Sequence, residues 1–140
     1  MKDLGQLWYF LGLKIARSEE GIFISQRKYV LDLLQKAGMR NCKPLNLLMT
    51  PNLRLMSDTC KNMKNLEQYR RMIGRLIYLT TTRLDISYSM QLLSQFMHKP
   101  TVKHMKETMH VLRYLKRAPG QGILLSKSSS AQLSAYCDSN

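Results

Sequence analysis

The sequence predicts an α+β fold from three patterns. Apolar residues alternate with other side chains near the N-terminus, recur at helical spacing through the middle, and alternate again near the C-terminus. The chain has 140 residues, of which 44% are hydrophobic, so one domain with a sizeable core is expected. We therefore predict an N-terminal β-hairpin followed by a helix, a central helical section and a C-terminal β-hairpin.

The N-terminal part is predicted to form the first hairpin and helix. Residues 7–15 alternate, the sequence SEEG turns the chain at Gly21, and residues 22–24 resume the alternation. The helical period that follows has Ser25 at the N-cap position and Gly38 at the position of a left-handed C-cap. This pattern predicts two strands and then a helix of about three turns.

The middle of the chain is predicted to be a connection followed by helices. Residues 39–65 carry two prolines, several asparagines and no sustained period, which is typical of a surface connection. From Leu66 the helical period returns in two sets joined near Asp85, a suitable helix cap. The pair Pro100-Thr101 then opens a further amphipathic helix.

The C-terminal part is predicted to be a second hairpin. Residues 123–125 form a short apolar strand, SKSSS forms a turn, and residues 133–137 alternate again and deliver Asp138 to a strand end. Because a two-stranded hairpin is only marginally stable alone, we expect another part of the molecule to cover it.

The charge balance favours a polyanionic partner. Lysine and arginine number 22 against 9 aspartates and glutamates, which gives a formal net charge of +13. Nucleic acid is the partner class that most simply balances such an excess. The alternative is a basic chain that binds no polyanion.

The helix that follows Pro100-Thr101 gathers basic side chains on one stripe beside its apolar face. They recur at steps of three and four residues, and Glu107 is the helix's only acid. Two interpretations stay open, a solvated face and a phosphate-facing surface, and both also apply to Arg71 and Arg75, one helical turn apart. The stripe consists of Lys103, Lys106, His110, Arg113 and Arg117.

The cysteine and hydropathy patterns favour an intracellular chain. The cysteines form no CxxC pair and have no histidine at zinc-ligand spacing, so reduced thiols are expected at Cys42, Cys60 and Cys137. No run approaches the roughly 20 apolar residues of a membrane span, and no secretory signal opens the chain. We expect neither membrane insertion nor secretion, while the compartment stays open, with nuclear and organellar copies both considered.

Motifs for complete catalytic chemistry are missing. The sequence has no glycine-rich phosphate loop, no nucleophile elbow and no HExxH, and its acids are dispersed. Two-metal phosphoryl transfer needs several carboxylates that converge on the cations, and Asp138 alone does not supply them. The six-residue spacing of His98, His104 and His110 scatters them around a helix and argues against a histidine metal site.

Several long motifs resemble one family. LGQLWYFLGLKIARSEEGIFISQRKYVLDLLQKAGM, YRRMIGRLIYLTTTRLDISYSM, SQFMHKPTVKHM, VLRYLK and YCDS occur in the order seen in the polyproteins of copia-type LTR retrotransposons. The chain resembles the stretch from the last part of the reverse transcriptase into the start of ribonuclease H. The resemblance covers nearly all of the chain.

The resemblance implies a role for each segment. Residues 1–38 correspond to a palm-edge hairpin and helix, 39–65 to a linker, 66–118 to a helical thumb and connection, and 119–140 to the truncated start of ribonuclease H. Within them, the turn Phe10-Leu11-Gly12 is similar to the primer grip, and Asp138 to the first metal-binding aspartate of the nuclease. The Tyr-x-Asp-Asp carboxylates would lie upstream and the other nuclease acids downstream.

The expected function is therefore to position a nucleic acid without processing it. The chain is expected to be a catalytically incomplete fragment, not an enzyme by itself, with no cofactor of its own, although the parent enzyme uses magnesium. It would contact the phosphates of an RNA–DNA or DNA duplex, and its other partners would be the missing polymerase and nuclease parts. The alternatives are a retained small nucleic-acid-binding or interaction protein, and a chain that does not fold stably.

Five positions depart from the usual family pattern. Each departure is of a kind that one C-to-T or G-to-A transition produces, which predicts a silenced copy decaying by cytosine deamination. A Glu-to-Lys change also moves the charge by two units, so part of the basic excess is attributed to decay. These positions are Trp8, Lys14, Leu48, Leu84 and Asn140.

Overall fold

The computed structural model describes residues 8–50, Leu55 and residues 61–128. Within these residues the chain forms four α-helices and one four-stranded antiparallel sheet. This architecture confirms the predicted α+β class.

The elements follow one another in a simple order along the chain. The strands are β1 (Tyr9–Phe10), β2 (Leu13–Arg17), β3 (Gly21–Ser25) and β4 (Gly122–Ser126). The helices are α1 (Arg27–Lys36), α2 (Leu66–Leu79), α3 (Ser87–Ser94) and α4 (Val102–Arg117), and a short 3-10 turn (Leu84–Ile86) precedes α3. In the sheet the strands lie in the order β1-β2-β3-β4.

The prediction of one continuous strand over residues 7–15 is wrong. A two-residue turn at Leu11 and Gly12 separates β1 from β2, and it pairs Phe10 with Leu13. Both turn residues have positive φ, 48° at Leu11 and 80° at Gly12. Two-residue hairpin turns require this conformation when their backbone follows the twist of the strands. The apolar alternation continues on both sides of this turn, which is why the side-chain period did not reveal it.

Strand β4 joins the N-terminal sheet. It was predicted to pair with residues 133–137, which lie outside the described residues. Its observed partner is β3, with Ile123 opposite Ile24. The two backbones approach closely at Gly21, where an added Cβ would lie 2.1 Å from the Leu125 carbonyl oxygen. The sheet therefore brings both ends of the described chain together.

The helix ends agree with the sequence at most positions. Gly38 has a φ of 68°, which confirms the predicted left-handed C-cap of α1. The helix α4 begins after Pro100-Thr101 as predicted, and Thr101 caps it by accepting a hydrogen bond from the amide of His104. The predicted cap at Ser25 is wrong, because Ser25 ends β3 and Gln26 precedes the helix without a side-chain cap bond.

Asp85 is also not a helix cap. It lies inside the 3-10 turn, and the N-cap of α3 is Ile86. The Asp85 carboxylate instead accepts two hydrogen bonds from Arg83, at 2.9 and 2.7 Å. The local sequence TTRLD suggested a cap, but the stronger charged partner two residues away takes the carboxylate.

The hydrophobic core lies between the helices. The helical period of α2 is confirmed at Tyr69, Met72, Ile73 and Leu76, which are buried, whereas Ile77, predicted on the same face, is 42% exposed. Ile86 and Leu55 add to the core. No sheet residue belongs to this core within the described part of the chain. Its helical members are Val30, Leu33, Leu34, Tyr69, Met72, Ile73, Leu76, Leu79, Met90, Leu93, Val111, Leu112 and Leu115.

The described part of the connection 39–65 has no helix and no named strand. An isolated bridge pairs Asn62 with Thr101, and Leu48 and Met49 pack against the core. The described parts of the connection therefore lie against the helices. The predicted domain boundaries at residues 38, 65 and 118 stay predictions.

Candidate nucleic-acid interface

The turn Phe10-Leu11-Gly12 stands at the edge of the sheet with its side chains exposed. Leu11 is 73% exposed and Phe10 is 51% exposed. The Tyr78 hydroxyl of α2 donates a hydrogen bond to the Leu11 carbonyl oxygen and so fixes the turn to the helices. Tyr78 in turn packs edge-on against Tyr29 of α1, with 5.2 Å between the ring centroids. The turn is thus held by its backbone while its side chains face solvent.

Arg71 and Arg75 line one cleft between α1, α2 and α4. The cleft has a volume of about 270 Å³, and Lys36 at the end of α1 and Met109 of α4 contribute to its walls. Arg71 is exposed, while Arg75 is half-buried. The only acid among the lining residues is Glu67, whose carboxylate lies 3.9 Å from Arg71. Three cations against one carboxylate make the cleft positive.

The α4 stripe lies on one helix as predicted, but part of it is covered. Lys106 and Arg117 are exposed, while Lys103 and Arg113 are half-buried. Arg113 donates from Nε to the Lys43 carbonyl oxygen at 2.8 Å, and its own carbonyl accepts from the amide of Leu45 at 3.2 Å. Arg113 therefore serves as an anchor for the connection.

Further contacts fasten the connection along α4. Lys116 donates from Nζ to the carbonyl oxygens of Arg40, at 2.7 Å, and Cys42. Toward the other end, His104 Nε2 lies 3.2 Å from the Leu55 carbonyl oxygen. The connection thus runs antiparallel to α4 and covers the middle of the stripe.

Glu107, to which the sequence analysis assigned no role, is buried against the connection. Its carboxylate accepts hydrogen bonds from the backbone amide of Thr50 at 3.2 Å and from the Thr50 hydroxyl at 2.9 Å. His110 Nδ1 lies 3.5 Å from that hydroxyl and 3.9 Å from the carboxylate. Glu107 and His110 therefore bind the connection, so the stripe open to a phosphate is shorter than the sequence predicts.

The chain was compared with known proteins. No family model matches it, and no solved structure matches it. It is 41% identical to the Retrovirus-related Pol polyprotein from transposon RE1 of Arabidopsis thaliana, over the whole chain and 10% of that polyprotein. It is 30% identical to the corresponding polyprotein from transposon TNT 1-94 of Nicotiana tabacum, over the whole chain and 11% of that relative.

The chain is homologous to Pol polyproteins of copia-type retrotransposons. The resemblance found in the sequence is therefore confirmed at the level of the polyprotein. The chain is also 39% identical to an uncharacterized mitochondrial protein of Arabidopsis thaliana, over the whole chain and 58% of that protein. It spans about a tenth of the Pol polyproteins and somewhat more than half of the mitochondrial relative.

The predicted metal ligand of this Pol homologue lies outside the described residues. Asp138 follows the last described residue, so its role stays a prediction. Within residues 8–50, 55 and 61–128, no three side chains of histidine, cysteine, aspartate or glutamate converge on a point. Cys42 is a free thiol, and Cys60 and Cys137 are not described. No described helix combines the length and the apolar character that crossing a bilayer requires.

The sequence did not predict the places of two basic residues in these arrangements. Lys36 lines the same cleft as Arg71 and Arg75 only because α1 packs beside α2, and no local sequence pattern indicates that packing. Arg83 is 1% exposed and donates to both Asp85 and the Ala118 carbonyl oxygen, at 3.0 Å for the latter. A lone arginine within TTRLD gives no signal of burial, so this joint is visible only in three dimensions.

Proposed function

We propose that this chain is the part of a copia-type reverse transcriptase that holds the template–primer duplex. It would run from a primer-grip-like turn through thumb and connection helices to the first strand of ribonuclease H. In this role it contributes contacts and no chemistry, because the polymerase carboxylates would stand upstream and the remaining nuclease acids downstream. The single observation that carries the proposal is the positive cleft of Lys36, Arg71 and Arg75.

The charge of the cleft suits the phosphate backbone of a duplex. The Arg71–Glu67 pair is exposed on both sides, with 65% of the Arg71 side chain and 85% of the Glu67 side chain accessible, and exposed ion pairs contribute little. Glu67 therefore leaves most of the positive potential available. Phosphate contacts of this kind fix the position of a duplex without reading its sequence. The cleft thus matches the positioning role expected of the parent region.

Lys106 extends this surface onto α4. Lys106 and the cleft residue Met109 are three residues apart on α4, so their side chains are neighbours on one face. Lys106 is exposed, whereas Arg113 is engaged with the connection. The proposed duplex surface therefore consists of Lys36, Arg71, Arg75 and Lys106, and Arg113 is assigned a structural role.

The exposed turn supports the primer-grip part of the proposal. A primer grip has to present a rigid backbone hairpin at the edge of a sheet. The hydrogen bond from Tyr78 fixes the Leu11 carbonyl, and Gly12 has the positive φ that the turn needs. This fixed and exposed backbone supports a contact of Phe10, Leu11 and Gly12 with the end of a primer strand.

The salt dependence of duplex binding tests this function. The affinity of the chain for a labelled RNA–DNA duplex should fall steeply with salt, because each neutralised phosphate adds about 0.9 to the slope of log K against log salt. We expect Arg71→Ala with Arg75→Ala to reduce that slope by about 2. The matched control, Lys61→Ala with Lys99→Ala, removes the same charge from exposed residues outside the cleft and should leave the slope nearly unchanged.

Three outcomes would contradict the proposal. Binding that is absent, or that does not depend on salt, would exclude a phosphate-contacting surface. Equal losses in the cleft variant and in the control would assign the binding to net charge alone. Primer extension by the purified chain would contradict the claim that it contributes no chemistry.

A further inference from the structure

A groove crosses the sheet on the face that carries Lys14. It consists of two adjoining clefts, of about 270 and 370 Å³, that share Lys14, Ser25 and Arg27. The first cleft reaches Tyr9 at one end, and the second reaches Phe23 at the other. Because the clefts share three residues, they adjoin each other along a path from β1 across the sheet.

The groove exists because small residues form its floor. The sheet register places Lys14 opposite Ser25 and Ala16 opposite Phe23, so these residues share one face. Ala16 and Ser25 are too small to fill the space between the larger side chains. Arg27 lies across Gly120, with its Cδ 3.6 Å from the point that a Cβ would occupy. The depression is thus a consequence of residue size along two strands.

The charge of the groove has one sign. Lys14, Arg27 and Lys28 line it and are exposed. No acid appears among the lining residues, counting only the part of the chain that the structure describes. The α2 cleft, by contrast, includes Glu67. The groove therefore offers a positive surface without a competing carboxylate.

Aromatic rings stand at the two ends of this positive surface. Tyr9 is 62% exposed at the β1 end, and Phe23 is half-buried at the other. A positive groove combined with accessible aromatic rings is typical of surfaces that bind single strands, because unpaired bases have free faces that stack on rings. The bases of a duplex are stacked on each other and present only their edges.

We propose that this groove binds a short single-stranded nucleic acid. Its phosphates contact Lys14, Arg27 and Lys28, and its bases stack on Tyr9 and Phe23. The site shares no lining residue with the cleft of Lys36, Arg71 and Arg75 and takes a different form of ligand, although Gly12 of the primer-grip-like turn lines its β1 end. It also gives Lys14, attributed in the sequence to decay, a place in a binding surface.

An abasic oligomer separates stacking from charge. The chain is titrated with labelled oligothymidine, with an abasic oligomer of the same length, and with a polyglutamate peptide. We expect oligothymidine to bind at least about tenfold more tightly than the abasic oligomer, since each stacked base contributes to affinity. Equal binding of the abasic oligomer or of polyglutamate would overturn the proposal, because the groove would then recognise only negative charge.

Variants locate the binding in the groove. Ala16→Leu fills the floor without changing charge, and Tyr9→Leu removes a ring at an exposed position that does not threaten folding. Each should weaken oligothymidine binding by about tenfold. Lys14→Glu should weaken it further, while the matched control Lys99→Glu, outside both clefts, should have a smaller effect. Wild-type affinity in both Ala16→Leu and Tyr9→Leu would overturn the assignment.

Duplex binding provides the remaining comparison. Ala16→Leu should leave the affinity for the RNA–DNA duplex unchanged, and Arg71→Ala with Arg75→Ala should leave the affinity for oligothymidine largely unchanged. If the duplex does not bind but oligothymidine does, the proposed function fails and the groove stands. If Ala16→Leu weakens both ligands equally although its circular dichroism is native, the groove is not a separate site.

Discussion

The helical part and the sheet of this chain differ in how far their apolar residues are buried. The helices enclose theirs in a core, and Leu76, Leu93 and Leu112 are fully buried. The sheet pairs its backbones but leaves its faces open, so that Leu124 and Leu125 of β4 remain more than half exposed. The helices therefore provide the stability of the fold, and the sheet provides surface.

The difference shows where recognition is available. Exposed apolar and aromatic patches on a folded chain mark sites of interaction more often than accidents of packing. Tyr9, Phe10 and Leu11 form such a patch at the sheet edge, next to the groove. In the helical part, only the cleft of Arg71 and Arg75 offers a comparable positive surface among the clefts described above.

One buried joint connects the helices to the strand that leaves them. Arg83 binds the Asp85 carboxylate with two hydrogen bonds and also donates to the Ala118 carbonyl just after α4. The Tyr114 hydroxyl donates to the same carboxylate at 2.9 Å. Burial alone would raise the pKa of Asp85, but the hydrogen bonds from Arg83 and Tyr114 and the Arg83 charge bring it below its usual value.

The largest effect is expected when this joint loses its acid. Asp85→Ala leaves the Arg83 guanidinium, 1% exposed, without its carboxylate, and breaking such a buried pair costs about 4 kcal/mol of unfolding free energy. Urea unfolding measures the loss. The double variant Asp85→Ala with Arg83→Met is the control, because it also removes the buried charge and should recover part of the stability. A double variant less stable than the single one would contradict this explanation.

A smaller effect separates the core from the sheet. Leu76→Ala, in the core, should lower the unfolding free energy by about 3 kcal/mol because it leaves a cavity. Ile24→Ala is the matched change in β3, where Ile24 faces Ile15 and Ile123, and it should cost only about 1 kcal/mol. Equal losses of unfolding free energy in urea would mean that Ile24 is as well buried as Leu76, which would contradict the contrast between sheet and core.

The smallest expected effect is that the stability of the fold depends on pH through His104. His104 Nδ1 accepts a hydrogen bond from the Thr101 amide at 2.9 Å, so Nε2 carries the proton and donates to Leu55. The ring stacks on Phe96. Burial, helped by the nearby Lys103, lowers the pKa of His104 below its ordinary value of 6.5, although the hydrogen bond to the Leu55 carbonyl acts in the opposite direction.

Because the folded state disfavours protonated His104, its contribution to stability is fully present above pH 6.5 and is lost as the pH falls below that value toward the folded-state pKa. The matched variant is His104→Gln, which keeps an acceptor for the capping box but does not titrate. Between pH 7 and 5, the midpoint temperature of thermal unfolding should fall more steeply for the wild type than for the variant. Parallel curves for the two proteins would exclude this role of His104.

The sequence predicted the elements whose signals are local. Most of the face of α2 and the start of α4 were predictable, because helical packing repeats every three or four residues and a proline near the first turn is a local signal of a helix start. The side-chain period did not reveal the turn at Leu11, which only the family resemblance indicated, because a leucine with positive φ has no residue signature and the alternation continues across it. The pairing of β3 with β4 joins distant segments, which no local pattern specifies.

The candidate site was predictable to a similar extent. Arg71 and Arg75 share one face of α2 by spacing alone, so their neighbourhood could be expected. The hydrogen bond from Arg113 to the connection could not be expected, because residues 39–50 have no periodic pattern that indicates where they lie. The groove around Lys14 and Arg27 depends on which strands pair, and the sequence by itself does not determine that.

The central claim is that the two regions receive two forms of nucleic acid, and a competition measurement tests it most directly. The wild-type chain is saturated with an RNA–DNA duplex and then titrated with labelled oligothymidine at increasing salt. We predict that the single strand binds beside the duplex, with a mutual weakening that fades as salt screens the added charge. Displacement of the duplex by the single strand at every salt concentration would contradict the account.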